Sequence, residues 1–520
     1  MKDKFDPDPP PINTIVKLDL SQSILYTQIE EQIVAEIRNG DKLPYGQRIW
    51  SLNDASEGLD VTKKVVTKAY KNLLKSYVAP ERGVCYRVIF DKPLRKLSDR
   101  GLHLYNLSKN ICVQDPKPFS MSLPEVTDME SRCLKYYESI SKFIRAEKNM
   151  NETRKYFSYS SPSGHENLKK EISKYLKTRK VDCEPDQITI VTGAQQALDI
   201  ITWITLDAND LVWIEEPSYS GARIMFNASQ AKLIPVQVDE DGLDVNTAIA
   251  SKPTPRLIYV TPQNQYPTNV TMSKKRREDL IEYAINEEVL ILEDDHSPFR
   301  YVDGLNESLF NFNKRMKPDR QLVFYIGSFT KTMFPSLRLG YIVAPPDMTN
   351  LISSARSVLD LSLPMLSQEA LYYYLKNNEY EEYIKKKTEI YEEKQKFLVA
   401  QVRQSALNNY FYLKPTASIG SNSKIVSEGG MEIILYAKSN ILNWFNDKEF
   451  SKYAMQKNHN DYSVVTQPFS SLFIDDINAE QGLVLGYAGF SENELEDYSK
   501  YLIRHLENYK ANHCSQVNLS

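Results

Sequence analysis

From about residue 156 onward the chain alternates short apolar runs with amphipathic segments. ITIVTG (188–193) leads into AQQALDIITWI, LVWIEEP (211–217) into a helical segment near Gly221, and LIYVTP (257–262) and VLILEDD (289–295) into loops. Apolar runs without polar alternation suit strands covered on both faces, and strand–helix alternation is the pattern of an α/β unit on a mainly parallel sheet. That class of fold restricts where a ligand can sit, because such sheets bind beyond the carboxyl ends of their strands. The residues at those ends are therefore the candidates for chemistry.

Four features stand there. Thr192-Gly193-Ala194-Gln195 is a strand-to-helix turn whose glycine permits close backbone approach and whose following helix offers free N–H groups to an anion. Asp294 lies in "EDD" after four apolar residues, so at least one of these carboxylates needs a cationic partner or water; a structural salt bridge is the ordinary outcome. Tyr219, in "EEPSYSG", offers an aromatic face, although most such tyrosines only pack. In IGSFTKTMFPSLRLGYIVAPP (326–346) a strand-like run over 321–326 ends and Lys331 follows Ser328 and Thr330, with Arg338 seven residues on. A lone lysine of this sort is usually a solvated loop residue. Together, however, an anion cradle, an aromatic plate, a carboxylate and an amine are what pyridoxal 5'-phosphate requires: its phosphate is a dianion, its ring is flat, its pyridine nitrogen is held protonated by an acid and its aldehyde condenses with lysine. Ser328, Thr330 and Arg338 are the phosphate candidates and Lys331 the aldehyde's partner.

The first hundred residues read differently. Leu25, Ile29, Ile33 and Ile37 fall at helical spacing before Gly40, and a shorter helix is expected over 51–58 after the turn "LPYGQR". A third helix is expected over 62–76, capped by Thr62. Its Val65, Val66, Ala69, Tyr70, Leu73 and Leu74 form one apolar side, while Lys63, Lys64, Thr67, Lys68, Lys71 and Lys75 share the opposite arc, with no acid in 61–80. A solvated face would explain the lysines. A hairpin of 77–78 with 85–90, turning near Gly83, would instead complete a winged helix-turn-helix, and the lysines would then meet phosphates of double-stranded DNA. The net charge of −4 means that any affinity for nucleic acid must come from such a local patch.

With 520 residues the chain suits roughly three structural units. It contains no run of about 18 apolar residues that could span a bilayer. MKDKFDPDPPPINT is polar and proline-rich, unlike a signal peptide, and is expected to be a disordered arm (1–14) on a cytoplasmic protein. Five scattered cysteines without a C-x-x-C pair argue against disulfides and against a metal site. Residues 93–118 have weak periodicity and read as a linker.

"VTKKVVTKAYKNLLKSYV" and "ILYTQIEEQIVAEIRNG" resemble the recognition helix and first helix of GntR-type DNA-binding domains. Asn53 and Lys63 replace arginines of that pattern, and Cys85 replaces a glycine of the wing tip. "YSSPSGHENLKKEI", "VTGAQQALDI", "EEPSYSGAR", "YVTPQNQYPTNVTM", "ILEDDHSPFRY" and "GSFTKTMFPSLRLGY" resemble fold-type I aminotransferases and, more closely, the MocR subgroup of GntR regulators, in which a winged helix is fused to an aminotransferase-like domain. The resemblance implies a winged helix-turn-helix at 15–92, a large cofactor domain at 119–400 and a small C-terminal domain at 401–515. It further implies Lys331 as the Schiff-base lysine, Asp294 as partner of the pyridine nitrogen, Tyr219 as the stacking ring, and Ala194, Gln195, Ser328 and Arg338 on the phosphate. Tyr159 would reach that phosphate from the second subunit of a homodimer. Three departures stand out: His296 where the family has a tyrosine facing the cofactor's phenolic oxygen, Asn264 for a histidine, and Asn269 for the glycine of a P-T-G turn.

Two functions follow. The chain is either a DNA-binding regulator that senses pyridoxal phosphate, an amine or an amino acid through an aldimine at Lys331, with Thr62, Lys63, Lys64, Thr67 and Lys68 toward DNA, or an aminotransferase with a vestigial helical arm. Tyr266 stands where the enzymes usually carry asparagine, and Val484 where they carry the arginine for the substrate carboxylate. Both changes favour the regulator.

Overall fold

In the N-terminal unit, Met1–Leu102, the expected helices form as α1 (Leu25–Asn39), α2 (Leu52–Leu59) and α3 (Lys63–Leu73). The computed structural model describes residues 9–19, 25–39, 42–43, 47–74, 77–81, 85–88, 128–147, 153–299, 301–302, 307–414, 425–427, 430–455, 464–474 and 479–517. Helix α2 starts on a capping box in which the Ser51 hydroxyl accepts from the Asp54 N–H and the Asp54 carboxylate accepts from the Ser51 N–H. The apolar side of α3, Val66, Ala69, Tyr70 and Leu73, is buried with Ile29, Ile33 and Ile37 of α1. Strand β1 (Arg48–Ile49) joins the hairpin β2 (Val78–Glu81) and β3 (Cys85–Val88) in an antiparallel sheet of order β1-β3-β2. The expected turn at Gly83 and the linker at 93–118 lie outside the described residues.

The arm expected to be disordered over 1–14 is packed from residue 9. Ile12 and Val16 are buried, and the Trp50 indole N–H donates to the Pro10 carbonyl at 2.8 Å. A Cβ on Gly58 would approach Ile12 Cγ2 to 2.6 Å, so α2 accepts this segment only because residue 58 is glycine. The carboxamides of Gln28 and Gln32 on α1 each donate to and accept from the backbone of Asp19 and Lys17. Proline content and polarity hid an anchor made by two isolated apolar residues, Ile12 and Val16, against which the half-buried Ile15 packs.

The second unit, His103–Ser520, is built on a sheet whose strands are β4 (Ile188–Val191), β5 (Leu211–Glu216), β6 (Lys232–Asp239), β7 (Gly242–Leu243), β8 (Leu257–Val260) and β9 (Leu290–Asp295). After β10 (Tyr301–Val302) come β11 (Val323–Ser328) and β12 (Gly340–Val343). The sheet order is β4-β12-β11-β9-β8-β5-β6-β7. Strands β11, β9, β8, β5 and β6 run parallel, and β12 runs antiparallel to both β11 and β4. This is the fold-type I aminotransferase architecture. Separate apolar layers cover the two faces: Ile258, Ile291 and Tyr325 belong to one, Tyr259, Leu292 and Ile326 to the other. The strand before Lys331 runs on to Ser328, two residues past the expected end, because Gly327 and Ser328 pair with Tyr341 and Gly340.

Further along, β13 (Phe411–Tyr412), β15 (Glu432–Ala437), β16 (Gln467–Pro468) and β17 (Gly482–Gly486) form a second sheet of order β13-β15-β17-β16, while β14 (Ile425–Ser427) pairs with β10. Its core includes Leu398, Leu435, Phe450, Leu485 and Leu502. No described helix is long and apolar enough to cross a membrane.

Candidate functional site

Strand alternation sorts the three acids that end β9. Successive side chains point to opposite faces, so Glu293 and Asp295 share one face and Asp294 takes the other. Asp295 meets Arg179 at 2.9 Å and accepts from the Tyr325 hydroxyl at 2.5 Å. Glu293 accepts from the Phe310 N–H, and burial pushes it up to about 7. The structural salt bridge that "EDD" was expected to need is thus made by Asp295. Asp294 instead accepts one hydrogen bond from Tyr259, 2.8 Å away, and its other carboxylate oxygen is buried with no partner in the protein. Burial, chiefly, lifts it to about 6, with Asp295 adding to the rise and the Tyr259 hydrogen bond and Lys331 opposing it.

The cradle forms where β4 passes into the helix Ala194–Thr205. Gly193, at the N-cap, has φ +130°, a conformation that side chains rarely adopt. A Cβ placed there would stand 3.5 Å from Thr330 Oγ1, 3.6 Å from Ser328 Oγ and 3.9 Å from Arg338 Nη1. Three donor groups therefore converge on a helix N-terminus, which suits a phosphate dianion. Arg338 reaches this point from a left-handed backbone at φ +49°. Ser328 also caps the short helix Phe329–Thr332 by accepting from the Thr330 N–H. The Gln195 side chain is engaged elsewhere: it donates to the Gly221 carbonyl at 3.1 Å and accepts from the Tyr219 hydroxyl at 3.4 Å. Its backbone N–H, in the first turn of the helix, remains available to an anion.

Lys331 sits among rings. Its Nζ is 3.2 Å from His296 Nδ1 and 5.4 Å from the centroid of Tyr266. Tyr266 in turn stands edge-on to Tyr219 and to His296, with centroids 5.9 and 5.8 Å apart. Burial pushes the Tyr219 hydroxyl up, helped by the Asp294 charge. His296 is pushed well below its ordinary range, first by burial and then by Lys331. The loop that carries Tyr266 is clamped from beneath. Arg277 donates to the carbonyls of Met272, Glu307 and Pro262, and Glu215 accepts from the backbone and hydroxyl of Thr261. Asn269 occupies its glycine-like position at φ +58°, in the left-handed region that asparagine tolerates.

The structure thus brings together Gly193, Ser328, Thr330 and Arg338, and beside them Tyr219, Asp294, His296 and Lys331. The unpartnered Asp294 oxygen and the convergent donors at Gly193 fit pyridoxal 5'-phosphate. Tyr159 is not among them; it is 82 % exposed in the single chain. Sequence reading did not find Tyr259, Arg179 or Arg277. Tyr259 reaches Asp294 only because β8 lies beside β9 with Tyr259 opposite Leu292, and nothing local announces that pairing.

In the N-terminal unit Thr62, Lys63, Lys64, Thr67 and Lys68 are all exposed. The Thr67 hydroxyl bonds back to the Lys63 carbonyl at 2.8 Å, and the Lys68 amine lies 3.9 Å from the centroid of Tyr26. Thr62 precedes α3 without a side-chain cap. Among described residues no cluster of metal-ligating side chains occurs, and Cys133 and Cys183 are buried free thiols that burial pushes up to about 12.

Residues 134–495 match the family described as aminotransferase class I and II. The chain is 26 % identical over 494 residues to the probable rhizopine catabolism regulatory protein MocR of Rhizobium meliloti, spanning 91 % of this chain and 92 % of that protein. It is 25 % identical over 483 residues to the uncharacterized HTH-type transcriptional regulator YhdI of Bacillus subtilis (strain 168), again spanning 91 % and 92 %. In fold it is similar to LysN, the α-aminoadipate aminotransferase of Thermus thermophilus complexed with N-(5'-phosphopyridoxyl)-L-leucine, with a TM-score of 0.64 and 23 % identity over 79 % of this chain and 95 % of that one.

Proposed function

The chain belongs to the aminotransferase class I and II family, in the MocR subgroup of GntR-type regulators, and from that premise we propose that it is a transcription regulator whose cofactor site senses pyridoxal 5'-phosphate or an amine. Pyridoxal 5'-phosphate is the cofactor of the fold, and when bound it supplies an aldehyde open to amines and an electron-withdrawing ring. In this reading the N–H groups of Ala194 and Gln195, with Ser328, Thr330 and Arg338, bind the phosphate. Tyr219 flanks the ring, Asp294 holds a proton on the ring nitrogen, and Lys331 is the covalent anchor. Tyr159 serves the site of a second copy in a homodimer, and residues 93–118 link the two functions.

The observation that carries the regulator is α3: its apolar side is buried and its lysines face water beside a three-stranded antiparallel sheet, in the same chain as the Lys331 site. A ligand that prefers one of two conformations shifts their balance, and DNA affinity would follow if the two differ in how they present α3. DNA places the working protein in the cytoplasm.

A second reading, an aminotransferase, is favoured by the retained pair of Lys331 and Asp294. Against it, Val484 is buried among Ile434, Tyr436, Phe469, Leu472 and Phe473 and offers a substrate carboxylate no charge. The test is an absorbance spectrum of the purified protein with and without candidate amines, run beside binding to its own upstream DNA. Visible absorbance that borohydride fixes on Lys331, together with tighter binding to that DNA than to random sequence, is expected. Loaded cofactor with no such preference, or steady release of keto acid at about one per second or more, would select the enzyme.

A further inference from the structure

The imidazole of His296 is held at both nitrogens, and the two contacts dictate its protonation. Nε2 stands 2.8 Å from the backbone carbonyl oxygen of Asn264. A carbonyl only accepts, so Nε2 carries the ring hydrogen and Nδ1 is left with a lone pair. Nδ1 is the atom 3.2 Å from Lys331 Nζ. The Asn264 carbonyl is itself fixed by the turn that Arg277 clamps through the Pro262 and Met272 carbonyls.

We propose that His296 is a positioning residue for Lys331: an acceptor, locked in one tautomer by the Asn264 carbonyl, that takes an N–H of the Lys331 amine and fixes the direction of its remaining valences. Lysine has a flexible four-carbon stem and rotatable donors, and a single fixed acceptor removes that freedom at the reacting atom. A tyrosine hydroxyl in the same place can donate to its neighbours, whereas Nδ1 in this tautomer can only accept. The site is therefore arranged to hold a group that brings its own hydrogen, as an amine does. The inference rests on the reading of Lys331 as the cofactor's anchor.

Isosteric variants separate the two contacts. In His296→Asn the side-chain oxygen falls near the Nδ1 position and keeps an acceptor for Lys331, whereas His296→Gln places its amide near Nε2, keeping the tether to Asn264 and losing the acceptor. Full-length protein, stripped of cofactor, is mixed with pyridoxal phosphate; the rise of visible absorbance gives the capture rate, and borohydride trapping with peptide mapping gives the site. His296→Gln should slow capture at Lys331 about tenfold, the equivalent of about 1.4 kcal/mol, while His296→Asn stays within about threefold of wild type. Thermal unfolding of the cofactor-free variants checks that both are folded. Equal slowing in both variants, or none in His296→Gln, would overturn the proposal. Failure of the wild type itself to trap cofactor at Lys331 would remove the anchor reading and this inference with it, and is recognised separately.

Discussion

Asp294 is expected to trade stability for cofactor binding, and Asp294→Asn measures both sides. The carboxyl stands at about 6 in the folded protein against an ordinary 3.8. Because the folded value is the higher, the favourable contribution is complete below about pH 3.8 and is lost as pH rises through about 6. At pH 8 the buried, ionised carboxylate costs about 3 kcal/mol, from about 1.4 kcal/mol for each pH unit between the two values. At pH 5 about half of that is left, because the folded carboxyl takes up a proton instead of ionising. Asparagine removes this cost and still accepts from the Tyr259 hydroxyl, but its amide nitrogen falls where the carboxylate oxygen has no partner, a penalty of about 1 kcal/mol that does not vary with pH. The cofactor-free variant should therefore be about 2 kcal/mol more stable than wild type at pH 8 and within about 1 kcal/mol of it at pH 5. Melting curves of cofactor-free protein at the two pH values read this as a gain of a few degrees that shrinks on acidification. Burial also raises Glu215 and Glu293 to about 7; Glu293 is common to the two proteins and cancels in the difference, whereas Glu215, which the Asp294 charge helps to raise, is relieved in the variant and adds to its gain at pH 8. Adding pyridoxal phosphate should reverse the order, since only wild type presents a carboxylate to a protonated ring nitrogen. A stability difference that is constant with pH, or an equal rise in melting temperature with cofactor in both proteins, would refute the reasoning.

Gly193→Ala puts a methyl within 4 Å of Ser328, Thr330 and Arg338 and forces φ +130° on a residue with a side chain; cofactor affinity should fall at least about tenfold, with a stability loss of about 1–3 kcal/mol seen in the same melts. Arg277→Met takes the guanidinium donors away from the Met272, Pro262 and Glu307 carbonyls, of which Pro262 keeps the Met272 N–H, and should cost about 3 kcal/mol, with a matching loss of cofactor because Asn264 and Tyr266 sit on the loop it clamps. Replacing Lys63 and Lys64 together by alanine should weaken binding to all DNA sequences and flatten its salt dependence by about 0.9 in the log–log slope for each phosphate no longer neutralised. Lys68 already has the Tyr26 ring as a partner, so its removal should do less to that slope and more to the stability of α1 on α3.

Local order was enough to read the strand–helix alternation, the glycine turn at 193 and the hydroxyls flanking Lys331, because each depends on neighbours within one turn of chain. The same holds for α3, whose apolar and basic sides follow from helical spacing alone. The tertiary structure decided which acid of Glu293-Asp294-Asp295 faces the site. Alternation says that Asp294 opposes the other two, but which face carries Tyr259 and the Gly193 turn depends on β8 and β11 flanking β9, a pairing made across about 30 or more residues. It also decided the protonation of His296, which is set by a carbonyl 32 residues away, and the burial of Ile12, which is set by the room left at Gly58. Each of these is a distance between segments that are remote in sequence, and residue spacing carries no information about such distances until the sheet order and the helix packing are formed.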